Sequence, residues 1–362
     1  MAHARAYRRP ARRMGILESA IGVAVLAGAV VGRVAPRMVA RLRLGHGAFA
    51  VVAVAAGIVL AGTLIDLPFG AWRLRYERRW GFSRTSTAQW ASDQIQELIL
   101  SVVLGIAAAL AFAGVTRLAH WWLVAWVGGA LLLALLVMVA PAVISPLFNH
   151  FRPLHDPELR ARTQELADRA GVEIRSVLVM DASRRTAKHN AYFTGLGRTK
   201  RVVLWDTLLA DYEPAATLVV LAHELGHWRR RHVLRLLGLA AVGLGPALFV
   251  LDRLLSAAGA QRALGVSGAT DPAALVVAVA VAVVLQAAAL PALGWCSRAW
   301  ERQADLDSLE LTGDADAFAA LQRDLALRNL SDLAPSRWAY LLASHPPPPE
   351  RLALAGRHLR SA

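Results

Sequence analysis

His223 and His227 stand four residues apart, with Glu224 beside the first. At 3.6 residues per turn, a helix over Ala215–Arg229 sets both imidazoles on one face, close enough to share a metal ion. Zinc takes neutral histidine nitrogens in a tetrahedral site and, where it catalyses, keeps one position for water. Glu224 is then placed to take the proton of that water, generating the hydroxide that attacks a carbonyl. The bland alternative is a helix with two surface histidines. Against it, Thr217–Ala222 is apolar and carries the helix into a core.

A catalytic zinc site needs a third protein ligand. The candidate is Glu301, in Ser297-Arg298-Ala299-Trp300-Glu301-Arg302-Gln303-Ala304-Asp305, with Asp305 four residues on. One of these carboxylates can bind metal while the other accepts a hydrogen bond from a ligand histidine and fixes its tautomer. Acids four apart are common on solvated helices, so the weight comes from what precedes them. The apolar segments Val233–Leu255 and Ala273–Trp295 form an out-and-back pair that returns Glu301 to the side of His227. His189 and His232 lack helical spacing to the pair and are not taken as ligands. Cys296 is the one cysteine and reads as a packed thiol, and one cysteine excludes an intrachain disulfide framework.

The elements that must position these residues are mostly apolar. Of 362 residues, 56% are hydrophobic, and mean hydropathy is +0.42. Four further blocks, Ile16–Val34, Leu44–Leu67, Leu98–Val115 and Trp121–Ile144, bring the expected membrane spans to six. The net charge of +14 is carried mainly by arginines beside these blocks. That placement is a topology signal rather than a nucleic-acid footprint, so no nucleic-acid partner is expected. Residues 1–15 read as a basic tail carrying Arg5, Arg8, Arg9, Arg12 and Arg13. Glu18 within the first apolar run, and no small-residue cleavage site after it, favour an uncleaved helix over a signal peptide. The stretch Trp72–Gln94, with Arg73, Arg75, Arg78, Arg79 and Arg84, reads as cytoplasmic, which leaves Arg33, Arg37, Arg41 and Arg43 outside.

The chain divides at about residue 150, giving a membrane-spanning domain over 16–149 and a catalytic domain over 150–358 that includes the last two spans. In the latter, Pro157–Ala170 reads as a helix and Ser176–Met180 as a strand. Ala191–Gly197 and Arg201–Trp205 read as a hairpin around Gly195, Gly197 and Lys200.

The metal motif Ala222-His223-Glu224-Leu225-Gly226-His227-Trp228, together with Ser297-Arg298 and Glu301-Arg302-Gln303-Ala304-Asp305, resembles the type I CAAX prenyl protease family. These are multi-pass membrane zinc metallopeptidases related to the HtpX quality-control proteases. The likeness extends in order through Leu67-Pro68-Phe69, Trp80-Gly81-Phe82, the segment Pro141 to Asn149, Asn190-Ala191-Tyr192-Phe193 with Gly195, Val203-Leu204 with Asp206-Thr207-Leu208, and Ser344-His345-Pro346-Pro347 with Glu350-Arg351-Leu352. It implies a mainly α fold, with many membrane-spanning helices and a gluzincin-like zinc metallopeptidase domain that contains a small β-hairpin or sheet. It also implies one Zn2+ per chain on His223, His227 and Glu301, with Glu224 as general base. By the same resemblance Asp305 supports a ligand, His345 stabilises the oxyanion, and Asn190 and Arg351 hold the substrate backbone or its C-terminal carboxylate. The sequence departs from the family in three ways. It shows six spans where eukaryotic members have seven, it lacks the hydrophilic insertion before the metal helix, and Lys188 and His189 are unusual residues before Asn190.

The expected activity is therefore metalloendopeptidase cleavage of peptides near a membrane face. The expected partners are the bilayer and peptide or protein substrates, lipidated or membrane-associated ones among them. The expected location is a bacterial cell membrane with the active site facing the cytoplasm. An HtpX-like quality-control protease and a catalytically silent metal-binding scaffold stand as alternatives. Site-2 proteases share the two-histidine motif but take a third ligand from a later aspartate motif, which is absent here. The Ala- and Arg-rich composition suggests a high-GC bacterium, so prenylated C-termini, membrane-protein quality control and other peptides all stay open as substrate classes.

Overall fold

A computed structural model describes residues 2–194 and 200–361. The membrane half opens with α1 (Ala2–Val31), a short α2 (Val34–Arg41), α3 (Ala48–Arg79), α4 (Thr87–Val115) and α5 (Trp121–Val143), followed by α6 (Ser145–Phe148). The catalytic half runs β1 (Phe151–Pro153), α7 (Pro157–Arg169), β2 (Ser176–Met180), β3 (Ala191–Thr194), β4 (Arg201–Trp205), α8 (Asp206–Asp211) and α9 (Pro214–Arg229). It then continues through α10 (His232–Ser256), α11 (Ala258–Leu264), α12 (Ala274–Thr312), α13 (Ala315–Arg328), α14 (Arg337–Leu341) and α15 (Pro348–Ser361).

Among the described residues, six helices are long and apolar enough to cross a membrane: α1, α3, α4, α5, α10 and α12. Their outward faces carry large apolar side chains, with Leu64 71%, Leu131 67%, Val242 65% and Val284 65% exposed. Bare leucine and valine on that scale suit lipid as solvent, and a helix satisfies its own backbone there. Small residues let the spans approach closely. A Cβ on Gly245 of α10 would lie 2.7 Å from the Trp126 ring of α5, whose Nε1 donates to the Ala241 carbonyl at 2.6 Å.

Contacts fix which ends of the spans lie together. Ser83, after α3, bridges Thr186, and the Arg84 backbone N–H donates to the Arg185 carbonyl at 2.9 Å. Arg8, near the start of α1, donates to the carbonyls of Leu330 and Asn329. At the far end, Arg33 donates to the carbonyls of Arg262 and Ala263, and Leu44 packs in one cluster with Val266. An even number of crossings thus leaves the start of α1 and the last helix on the same side of the spans. Residues 2–15, read above as a tail, are the first turns of α1. Most of Trp72–Gln94 likewise belongs to the ends of α3 and α4, with a short connection between them.

Outside the spans lies a four-stranded sheet in the order β1-β2-β4-β3, with β2 and β4 parallel and the outer pairings antiparallel. The expected hairpin is β3 against β4, with Tyr192 opposite Val203, while Gly195 and Gly197 lie outside the described residues. Val202 and Leu204 are fully buried in a cluster with Leu221 of α9, so the metal helix lies against the sheet. Pro214 starts α9 at a position that needs no backbone donor. The 39 residues of α12 make one helix about 58 Å long. The last span and the helix carrying Glu301 are therefore one rod, ended by Gly313 in the left-handed conformation at φ 67°.

Candidate active site

The site forms where α9 crosses α12. A Cβ on Gly226 would stand 3.0 Å from both the Ala304 Cα and the Asp307 Cβ, so only glycine lets the two helices come this close. Buried polar bonds fasten the crossing. Arg230 chelates the carboxylate of Asp307, which is fully buried, and Ser308 Oγ donates to the Val219 carbonyl at 2.8 Å. In consequence the Nε2 atoms of His223 and His227 lie 3.2 Å apart. The Glu301 carboxylate reaches within 3.5 Å of His223 Nε2 and 3.4 Å of His227 Nε2.

These three separations test whether the residues suit a metal. Ligand atoms about 2.0–2.1 Å from one tetrahedral ion stand roughly 3.3 Å from one another, close to the 3.2 Å between the two imidazole nitrogens, while the Glu301 carboxylate turns Oε2 to His223 and Oε1 to His227. Among the described residues, Glu301 Oε2 is also buried without a hydrogen-bond partner, with His223 Nε2 3.5 Å away. A buried ionised oxygen in that state calls for a cation. Two imidazoles and a carboxylate are moreover a donor set that catalytic zinc uses. The residues fit the ion.

Each histidine is held from behind by different chemistry. His223 Nδ1 lies 2.9 Å from Asp305 Oδ1, and Arg351 of α15 in turn grips Asp305 with two parallel N–H groups, Nε at 2.8 Å. Burial disfavours the His223 cation, but Asp305 and Glu301 outweigh it and push its pKa up to about 10. His227 Nδ1 instead lies 2.9 Å from Nδ1 of His232, whose Nε2 is 3.1 Å from Gln303 Oε1. An amide oxygen only accepts, so His232 carries its proton on Nε2 and accepts from His227 Nδ1–H. The free lone pair of His227 is then on Nε2, toward Glu301. Trp300 stacks on His232, with centroids 5.4 Å apart, and keeps its ring in plane.

Glu224 lies at the sheet side of the site and accepts a hydrogen bond from the Phe193 backbone; burial pushes its pKa up. His345 is brought in by a loop seated on α12. Arg298 donates to the carbonyls of Leu341 and Ala343, Ser297 Oγ donates to the Ser344 carbonyl at 2.7 Å, and a Cβ on Gly294 would collide with the same loop. The His345 ring is largely exposed, with Nε2 3.4 Å from Glu301 Oε1 and Nδ1 2.8 Å from Ser344 Oγ. Asn190 stands exposed at the head of β3, where its side chain accepts from the Ala191 N–H and does not touch the donor set. Arg351, expected to hold substrate, is engaged with Asp305.

The structure thus gathers His223, Glu224, His227, Glu301, Asp305, His345 and Arg351, with Asn190 at the rim. Spacing in the sequence does not point to His232. Helical spacing excluded it because that rule assumes one continuous helix. Arg231, left-handed at φ 56°, breaks α9 from α10 and folds His232 back onto His227.

The profile of peptidase family M48 matches residues 153–358. This chain belongs to that family. Residues 1–150 match a second profile, described as the CAAX prenyl protease N-terminal region with five membrane helices, although four of the six apolar helices found here fall in that stretch. The chain is similar to the "Uncharacterized metalloprotease YhfN" of Bacillus subtilis, 32% identical over 299 residues that cover 81% of this chain and 70% of that protein. It is 34% identical to CAAX prenyl protease 1 of Saccharomyces cerevisiae over 180 residues, 48% of this chain and 39% of the yeast protein. The crystal structure of S. mikatae Ste24p superposes with a TM-score of 0.75 at 27% identity, covering 82% of this chain and 73% of that one. The protein is accordingly an integral multi-pass membrane metalloendopeptidase.

Proposed function

We propose that the chain is a zinc endopeptidase in which His223, His227 and Glu301 hold one Zn2+ and Glu224 is the general base. The observation that carries this reading is that donor atoms of His223, His227 and Glu301 all lie within 4.8 Å of one another, beside a buried Glu301 oxygen with no hydrogen-bond partner among the described residues. Zinc supplies Lewis acidity there, lowering the pKa of water and polarising the scissile carbonyl. Glu224, its pKa raised by burial, takes the proton from the attacking water and delivers it to the leaving amine. His345 reaches the site from the open side and donates to the developing oxyanion. Asp305 with Arg351, and His232 with Gln303, hold the two ligand rings in the tautomers that the ion requires. The outer edge of β3 pairs with no described strand, and Phe193 ties that strand to Glu224. An extended peptide adding to this edge would pass the base, with Asn190 meeting its backbone.

We assign residues 16–149 to a membrane unit and 150–358, including α10 and α12, to the catalytic unit. The arginines of α1 and of the α3–α4 connection flank the catalytic side, which supports a cytoplasmic face of a bacterial membrane. The proposed substrates are peptide segments at that face. Prenylated C-termini are the class that the yeast relative's name indicates. The test is Glu224→Gln in the full chain: peptide cleavage should fall by at least about 10³-fold while zinc content stays at one ion per chain. Cleavage at the wild-type rate would overturn the mechanism.

A further inference from the structure

The basic end of α1 does more than flank the first span. Arg5, Arg8, Arg9 and Arg12 recur at i, i+3, i+4 and i+7, which puts all four guanidinium groups on one face of the helix. That face forms one wall of a cavity of about 950 Å³, and the opposite wall is the loop bearing Ser344, His345 and Pro347. His345 is itself 3.4 Å from Glu301, so the cavity borders the donor set through that ring. We propose that this cavity binds acidic side chains of the peptide substrate next to the bond being cut. The proposal rests on the endopeptidase reading and adds to it the charge of the substrate.

Charge and height favour a peptide. Arg8 is occupied with the carbonyls of Asn329 and Leu330, whereas Arg5, Arg9 and Arg12 are exposed and make no ion pair among the described residues. The acid in the lining, Asp332, caps the Ala334 N–H, leaving an excess of positive charge on the wall. Such a field, focused in a concavity, raises the local concentration of anions. Membrane phosphates are the competing explanation for arginines beside a span. At 1.5 Å per residue, Arg5, Arg8 and Arg9 stand roughly 10–16 Å beyond Ile16, where the apolar run begins, while the headgroup layer is only about 5–8 Å deep on each side. Of the four, only Arg12 has its Cα within that depth, and Arg5 stands farthest beyond it. Topology alone asks for basic residues near the span and does not ask for Arg5, Arg9 and Arg12, free of ion pairs among the described residues, to line a cavity shared with His345.

The experiment uses the full-length Glu224→Gln chain in zwitterionic nanodiscs and a fluorescent decapeptide carrying four glutamates, with its all-glutamine twin. Anisotropy should show the acidic peptide binding at least about tenfold tighter at low salt, with the preference fading as salt rises. Arg5→Gln/Arg9→Gln should erase that preference. Arg37→Gln/Arg41→Gln, an equal change of net charge on exposed arginines of α2, should leave it intact. Equal binding of the twins, or an equal loss in both double variants, overturns the proposal. So does a double variant at positions 5 and 9 that keeps its peptide preference but loses affinity for phosphatidylglycerol vesicles, which would assign the row to lipid. Binding is read without turnover, so failure here is distinct from failure of the endopeptidase mechanism.

Discussion

His223 and His227, the two histidines proposed to hold zinc, sit on one face of one helix, yet they are backed in opposite ways. Behind His223 is a buried ion pair, Asp305 with Arg351, which joins α12 to α15. Behind His227 is a neutral relay through His232 to Gln303, which joins the start of α10 to α12. The first support carries charge and would strengthen His223 as a donor to the proposed ion. The second fixes a tautomer without adding charge. Both rings are oriented, but only one is also electrostatically enriched, and the consequences of removing each support should differ accordingly.

The largest effect is expected at Asp305→Ala. It leaves Arg351, 15% exposed at its side chain, buried without its partner. Loss of one member of such a pair costs about 3–5 kcal/mol and should appear as a clear drop in melting temperature. Zinc affinity should fall about 100-fold in the same variant, read by competition with a chelator. If removing Arg351 as well restores the melting temperature but not zinc affinity, the two roles of Asp305 are separated.

His232→Ala should be milder. About tenfold weaker zinc binding is expected with melting of the zinc-free protein little changed, because a neutral hydrogen bond is lost and no charge is stranded. His232→Gln, whose amide oxygen can accept from His227, should recover part of the affinity. An Asp305→Ala protein as stable as His232→Ala would erase the distinction between the two supports.

The smallest effect concerns pH. The carboxyl of Glu224 has its pKa raised by burial, and as the proposed base it must be ionised to act. Activity should therefore be retained at higher pH and fall as pH drops through that raised value, a limb lying above the ordinary carboxylate range. A profile flat down to about pH 4 would place the base elsewhere.

The same contrast separates what the sequence reveals from what it hides. Asp305 is legible because it shares a helix face with Glu301, and regular spacing survives folding. His232 is hidden because its contact depends on one left-handed residue, Arg231, between two helices. The six spans are legible from composition. The continuity of α12 from the bilayer to Glu301 is less so, because the change from apolar to charged residues near Ser297 looks like an end when the helix only changes solvent. β1 has three residues, one of them proline, and presents no periodicity to read. The requirement for Gly226 arises from the neighbouring helix and cannot be seen within α9 alone.

The central claim is that His223, His227 and Glu301 hold one zinc ion. X-ray absorption at the zinc edge on the full-length protein, loaded with one equivalent and washed, tests it most directly. The account predicts two imidazole nitrogens at about 2.0–2.1 Å with the remaining ligands oxygen, and loss of that signature in Glu301→Ala. Zinc bound well below one per chain, or an unchanged spectrum in Glu301→Ala, would contradict it.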